Sequence, residues 1–113
     1  MKEDLLKIIN NYDVLPQLKY FQSEVFELNE AIIEYESFND YAPIEASLIE
    51  VNGKVFTMPK YTKHLREHIT EEIADCMVML KQFQYYYGIE DKEIEEVMKY
   101  KIERQLERIN RGE

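Results

Sequence analysis

The chain has 113 residues, 45% hydrophobic and 33% charged, which suits one ordinary globular domain and excludes a disordered polar segment. Its formal net charge of −9 argues against a protein that grips a nucleic-acid backbone, since that class usually carries an excess of Lys and Arg. No apolar run nears the roughly 20 residues of a membrane span; Met1-Lys2-Glu3-Asp4 is unlike a signal peptide, and the single cysteine, Cys76, predicts a reduced, cytoplasmic setting.

Residues 3–11 place Leu5, Ile8 and Ile9 at helical spacing and predict a short leading helix. After Asp13, Pro16 suits the first turn of a second helix over about 15–37, with an apolar stripe of Leu18, Phe21, Val25, Leu28, Ile32 and Tyr35. Residues 38–62 break the pattern with Asn39-Asp40, Pro43, Asn52-Gly53 and Pro59. Within them, Leu48 to Val51, then Asn-Gly, then Lys54 to Phe56 predicts a small β-hairpin, which we place at about 44–60. A third helix is predicted over about 62–87, with Leu65, Ile69, Ile73, Cys76, Leu80, Phe83 and Tyr87 on its apolar face and Gly88 as its stop. Asp91 is the expected cap of a last helix to about 110, with Ile94, Val97, Met98, Ile102, Leu106 and Ile109 facing inward. One apolar stripe per helix predicts an all-α, four-helix-bundle-type domain spanning 1–113, with part of each stripe covered by a second copy in a homodimer or homotetramer.

Two pairs of acids stand out on the long helices. Glu24 and Glu27, and Glu72 and Asp75, are each separated by three residues, which sets the carboxylates one turn apart on a helix flank. At about 100° per residue both pairs fall at the edge of an apolar stripe, so they can converge where the helices pack. Four carboxylates in one space repel unless a cation is bound, and hard oxygen ligands in that number suit Mg²⁺, with Mn²⁺ as a substitute, rather than zinc. Such a metal lets an acidic protein hold a polyphosphate, and either the metal or a free carboxylate can activate water. Glutamates at this spacing also occur on any acidic helix, so spacing alone does not make a site.

Sequence context adds to the spacing. Leu15-Pro16-Gln17-Leu18 leading to Ser23-Glu24-Val25-Phe26-Glu27-Leu28-Asn29-Glu30-Ala31-Ile32 resembles the first motif of the MazG-like nucleotide pyrophosphohydrolases of the all-α NTP pyrophosphatase superfamily. Glu71-Glu72-Ile73-Ala74-Asp75, followed by an apolar run to Leu80, is similar to the second motif, and Lys101 to Arg108 resembles the basic C-terminal segment. The resemblance implies an all-α NTP pyrophosphatase fold in which Glu24, Glu27, Glu72 and Asp75 hold Mg²⁺, and Lys101 and Arg108 hold substrate phosphates. It also implies hydrolysis of an NTP or dNTP to the monophosphate and pyrophosphate, as in cleaning of the nucleotide pool, with Glu24 or Glu27 orienting or deprotonating water. Lys101, Arg104, Arg108 and Arg111 share one flank of the last helix, a basic strip on an acidic protein.

The chain departs from the family in three places. Ser23 stands where a second adjacent acid is usual, Gln105 where an asparagine is common, and the hairpin lengthens the gap between the two acidic motifs. The Ser23 departure points to an alternative reading: a helical interaction or regulatory module that keeps the fold without the activity. His64 and His68 lie one turn apart and His68 precedes Glu72 by four, yet neither follows a Glu by three as a di-iron bundle requires. Tyr85-Tyr86-Tyr87 is read as core and interface rather than a base-stacking platform, and Cys76 as inert packing.

Overall fold

The computed structural model describes residues 1–39, 46–59 and 63–112, with side chains described for 1–37, 50–55 and 64–112. It is mostly helical: α1 (Lys2–Tyr12), α2 (Val14–Asn39), α3 (Lys63–Tyr86) and α4 (Asp91–Asn110), with a two-stranded antiparallel hairpin of β1 (Ala46–Val51) and β2 (Lys54–Pro59) between α2 and α3. The breaker residues Asp40 and Pro43 lie outside the described residues. Among the described residues no helix is long and apolar enough to cross a membrane. The chain divides into two compact units, one of Met1–Val14 with Leu80–Glu113 and one of Leu15–Met79.

In the first unit, α1 buries Leu5 and Ile9, four residues apart on one face. The last turns of α3 bury Gln82 and Gln84, and the helix stops as Gly88 suggested. Gly88 has φ +68°, its N–H donates to the Tyr85 carbonyl and the Ile89 N–H donates to that of Gln84, the Schellman pattern that satisfies carbonyls at a helix end. Open space surrounds a Cβ added at Gly88, so only the backbone conformation opposes a side chain there. Gly88→Ala is expected to destabilise by about 1 kcal/mol, read as a lowered midpoint in thermal unfolding.

The cap of α4 is Glu90 rather than Asp91. Glu90 forms a capping box with Glu93: its carboxylate accepts the Glu93 N–H while the Glu93 carboxylate accepts the Glu90 N–H at 2.8 Å. Asp91 is taken up instead by groups on α3. Its Oδ1 accepts from Lys81 Nζ and from Gln84 Nε2, both at 2.6 Å, and from the Tyr85 hydroxyl at 3.3 Å. Lys81 beside it holds the Asp91 carboxyl below its ordinary value, with Gln84 adding to the effect. Gln84 Nε2 also donates to the Ile89 carbonyl, which ties the turn between α3 and α4 to one amide. Tyr85 lies against Lys2 and Lys81, and the Tyr86 and Tyr87 rings meet edge to face at 5.1 Å.

The inward face expected of α4 is not buried within one chain. Val97, Met98, Ile102, Leu106 and Ile109 are each more than half exposed, and α4 has no buried residue at all. Its amphipathic pattern made the helix, and the apolar face of that pattern stays exposed.

In the second unit the hairpin runs in the register Val51↔Lys54 to Ala46↔Pro59. Asn52 (φ 53°) and Gly53 (φ 76°) both take positive φ, as a two-residue primed turn requires and as Asn-Gly supplies at least cost. On α2 the buried residues are Gln17, Glu24 and Ala31, alternating with half-buried Phe21, Leu28 and Tyr35. These positions recur at spacings of four and three, the narrow seam of a helix packed lengthwise on a neighbour. Leu18, Val25 and Ile32, expected on the inward stripe, sit beside that seam and stay exposed. On α3 the corresponding seam runs through Leu65, half-buried Ile69, Glu72, Cys76 and Met79, whereas Ile73 and Leu80 are exposed.

Candidate metal centre

Each seam carries one glutamate where an apolar residue would pack. Glu24 is 5% exposed and Glu72 9%, and Oε2 of each is buried with no hydrogen-bond partner. A buried carboxylate oxygen left without a partner is costly, of order 1–3 kcal/mol or more for a charged group, so two of them on carboxylates of one cluster need a reason. Single carboxylate oxygens of Glu24, Glu27 and Glu72 lie within 4.8 Å of each other, with Glu27 on the exposed side of the group.

Asp75 stands outside that close trio and is exposed, but its carboxylate acts on Glu24. Burial pushes the Glu24 carboxyl above its ordinary value, and the neighbouring charges of Glu27 and Asp75 push it the same way. Tyr20, one turn before Glu24, hydrogen-bonds to it, which partly opposes that rise and lifts the Tyr20 hydroxyl above its own ordinary value. The Cys76 thiol is raised first by burial and then by Glu24, Glu72, Asp75 and Glu27. Cys76 is thus buried packing, as expected, and it senses all four carboxylates from within the seam.

A divalent cation fits these residues. The donors are hard carboxylate oxygens from two helices, two of them desolvated and unpartnered, with a third at the solvent edge. Histidine is not among the converging donors: His68 Nε2 approaches Glu72 Oε1 at 3.4 Å but stands outside the trio. Lys101 and Arg108 belong to the other compact unit, where with Arg104 and Gln105 they line a groove of about 260 Å³ on α4. The three cations of this groove are exposed.

Sequence reading placed the acids at the edge of the apolar stripes, whereas Glu24 and Glu72 occupy the seams themselves. It also passed over Tyr20. The available signal was the same for Tyr20 and His68: a side chain able to donate a hydrogen bond, four residues before a candidate ligand on the same helix. Comparison with protein-family models, with curated proteins and with solved structures finds no match for this chain.

Proposed function

We propose that the carboxylate cluster binds Mg²⁺ and that the chain is a nucleoside triphosphate pyrophosphohydrolase. The observation that carries the metal is the pair of buried, unpartnered oxygens on Glu24 and Glu72, two residues whose carboxylates converge with that of Glu27. The reaction comes from the MazG-like resemblance of the two acidic motifs and the basic segment. In this reading the helices form the four-helix all-α NTP pyrophosphatase arrangement, completed by a second copy.

The substrate is an NTP or dNTP, standard or damaged. Water attacks the α-phosphorus, a new P–O bond forms, and the bond from that phosphorus to the bridging oxygen breaks. Pyrophosphate leaves with the electron pair, and the water proton passes to a carboxylate. Glu24 and Glu27 are the candidate acceptors. Glu27 is open to solvent and suited to orient the water, while Glu24 is held by Tyr20 and has the raised proton affinity. Bound Mg²⁺ supplies charge neutralisation of the phosphates. Lys101 and Arg108 take the phosphate-holding role of the basic segment and offset charge on the leaving pyrophosphate.

Incubation with a panel of NTPs and dNTPs plus Mg²⁺ should release pyrophosphate from at least one of them, and chelation with EDTA should stop it. Lys101→Ala and Arg108→Ala should each raise KM or lower kcat/KM by roughly tenfold or more. No release from any nucleotide at high protein concentration would overturn the catalytic reading and favour the non-catalytic module that Ser23 suggests.

A further inference from the structure

The two orphaned ligands share a local design that the proposed chemistry does not by itself require. Glu72 has one oxygen, Oε1, facing His68 Nε2 at 3.4 Å, while its other oxygen is buried and unpartnered. His68 lies one helical turn before Glu72, so its imidazole reaches along α3 onto the carboxylate from the solvent side; its side chain is 43% exposed and that of Glu72 only 12%. Glu24 repeats the arrangement on α2, with Tyr20 one turn before it holding the carboxylate and Oε2 left free.

A carboxylate on a helix has three side-chain torsions and, unrestrained, rotates to present either oxygen to water. Fixing one oxygen removes that freedom and selects which lone pairs point into the cluster. Partners of this kind commonly change metal affinity 10–100-fold. His68 is not a member of the converging trio, and it meets that trio at Glu72.

We infer that His68 is a positioning residue for the cation site: its Nε2–H holds Glu72 Oε1 and so directs Glu72 Oε2 at the bound divalent metal. The inference rests on the metal reading above. The imidazole acts as the neutral tautomer protonated on Nε2 or as the imidazolium, since both present the required donor. The spacing also limits which residues can replace it. Glutamine carries an amide donor far enough along its side chain to span one turn, whereas asparagine and alanine do not.

The test is Mn²⁺ binding to the full chain, followed by electron paramagnetic resonance of free Mn²⁺, for the unmodified protein and for His68→Ala, His68→Asn and His68→Gln. Helical circular dichroism confirms that each variant is folded, and the exposure of His68 makes unfolding an unexpected outcome. The expected result is a dissociation constant about tenfold or more higher for His68→Ala and His68→Asn, with His68→Gln restored to within roughly threefold of the unmodified protein. A merely structural histidine would not order the three variants by donor reach. If the unmodified protein binds Mn²⁺ and His68→Ala binds it equally well, or if His68→Gln is as weak as His68→Ala, the positioning role is overturned while the metal site stands. If the unmodified protein binds no Mn²⁺, both fall together.

Discussion

Replacing Glu24 with glutamine should make the metal-free protein more stable and the enzyme inactive. Once ionised, Glu24 is a charge buried at 5% exposure beside Glu27, Asp75 and Glu72, and the hydrogen bond from Tyr20 offsets it only in part without a cation. Glutamine keeps the shape, removes one of the repelling charges, and supplies an amide that donates to the carboxylates around it. The expected rise in the thermal midpoint of the EDTA-treated protein is roughly 2–5 °C. The same change removes a ligand oxygen, so pyrophosphate release should fall about a hundredfold or more. A gain in stability together with a loss of function is what distinguishes a site residue from a packing residue. If Glu24→Gln lowers the midpoint, Glu24 is held in the fold by an interaction other than a cation.

The second large effect is a coupling between pH and metal. Glu24 has its carboxyl raised in the folded state, so between the ordinary carboxylate range and that raised value the native protein keeps a proton that the unfolded chain has released. Metal-free stability from this group is therefore greatest below the ordinary value and falls as pH rises through the raised value. A cation competes with that proton, so its stabilising effect has the opposite trend. For a dissociation constant of about 1 mM, 10 mM Mg²⁺ stabilises by about 1.4 kcal/mol once Glu24 is ionised. The Mg²⁺-dependent shift of the thermal midpoint should accordingly be small at pH values below the raised Glu24 value and grow to a few degrees as pH rises through it, and Glu24→Gln should flatten this dependence. A shift equal on both sides of that value would remove Glu24 from the linkage.

The elements were legible because their punctuation is local. Asn52-Gly53 supplies both positive φ angles of the hairpin turn, Gly88 supplies the one at the end of α3, and the three- and four-residue recurrences located all four helices to within two residues. Which face each helix buries was less legible. Counting apolar residues on α2 puts Leu18, Val25 and Ile32 inward, but the buried seam runs through Gln17, Glu24 and Ala31. The count fails there because it treats a glutamate as a surface residue, and the departure falls at the candidate site, where local rules are expected to yield to chemistry. On α4 the pattern is right for a helix, yet Met98, Ile102 and Leu106 are exposed. The cap of α4 was misplaced by one residue because Glu90 and Asp91 both suit a helix start, and only the Lys81 and Gln84 contacts on Asp91 separate them.

The four acids were identified from spacing and context, and three of them converge directly, with Asp75 joined through Glu24. Spacing could not reveal the orphaned oxygens, since these depend on how α2 and α3 meet.

The most direct test is a Mn²⁺ titration of the protein beside the Glu24→Gln/Glu72→Gln double variant, with Mg²⁺ as competitor. Saturable binding that Mg²⁺ displaces, and that the double variant loses while remaining helical, is the predicted result. Absence of binding, or equal binding by the double variant, would contradict the claim that these carboxylates are held together for a cation.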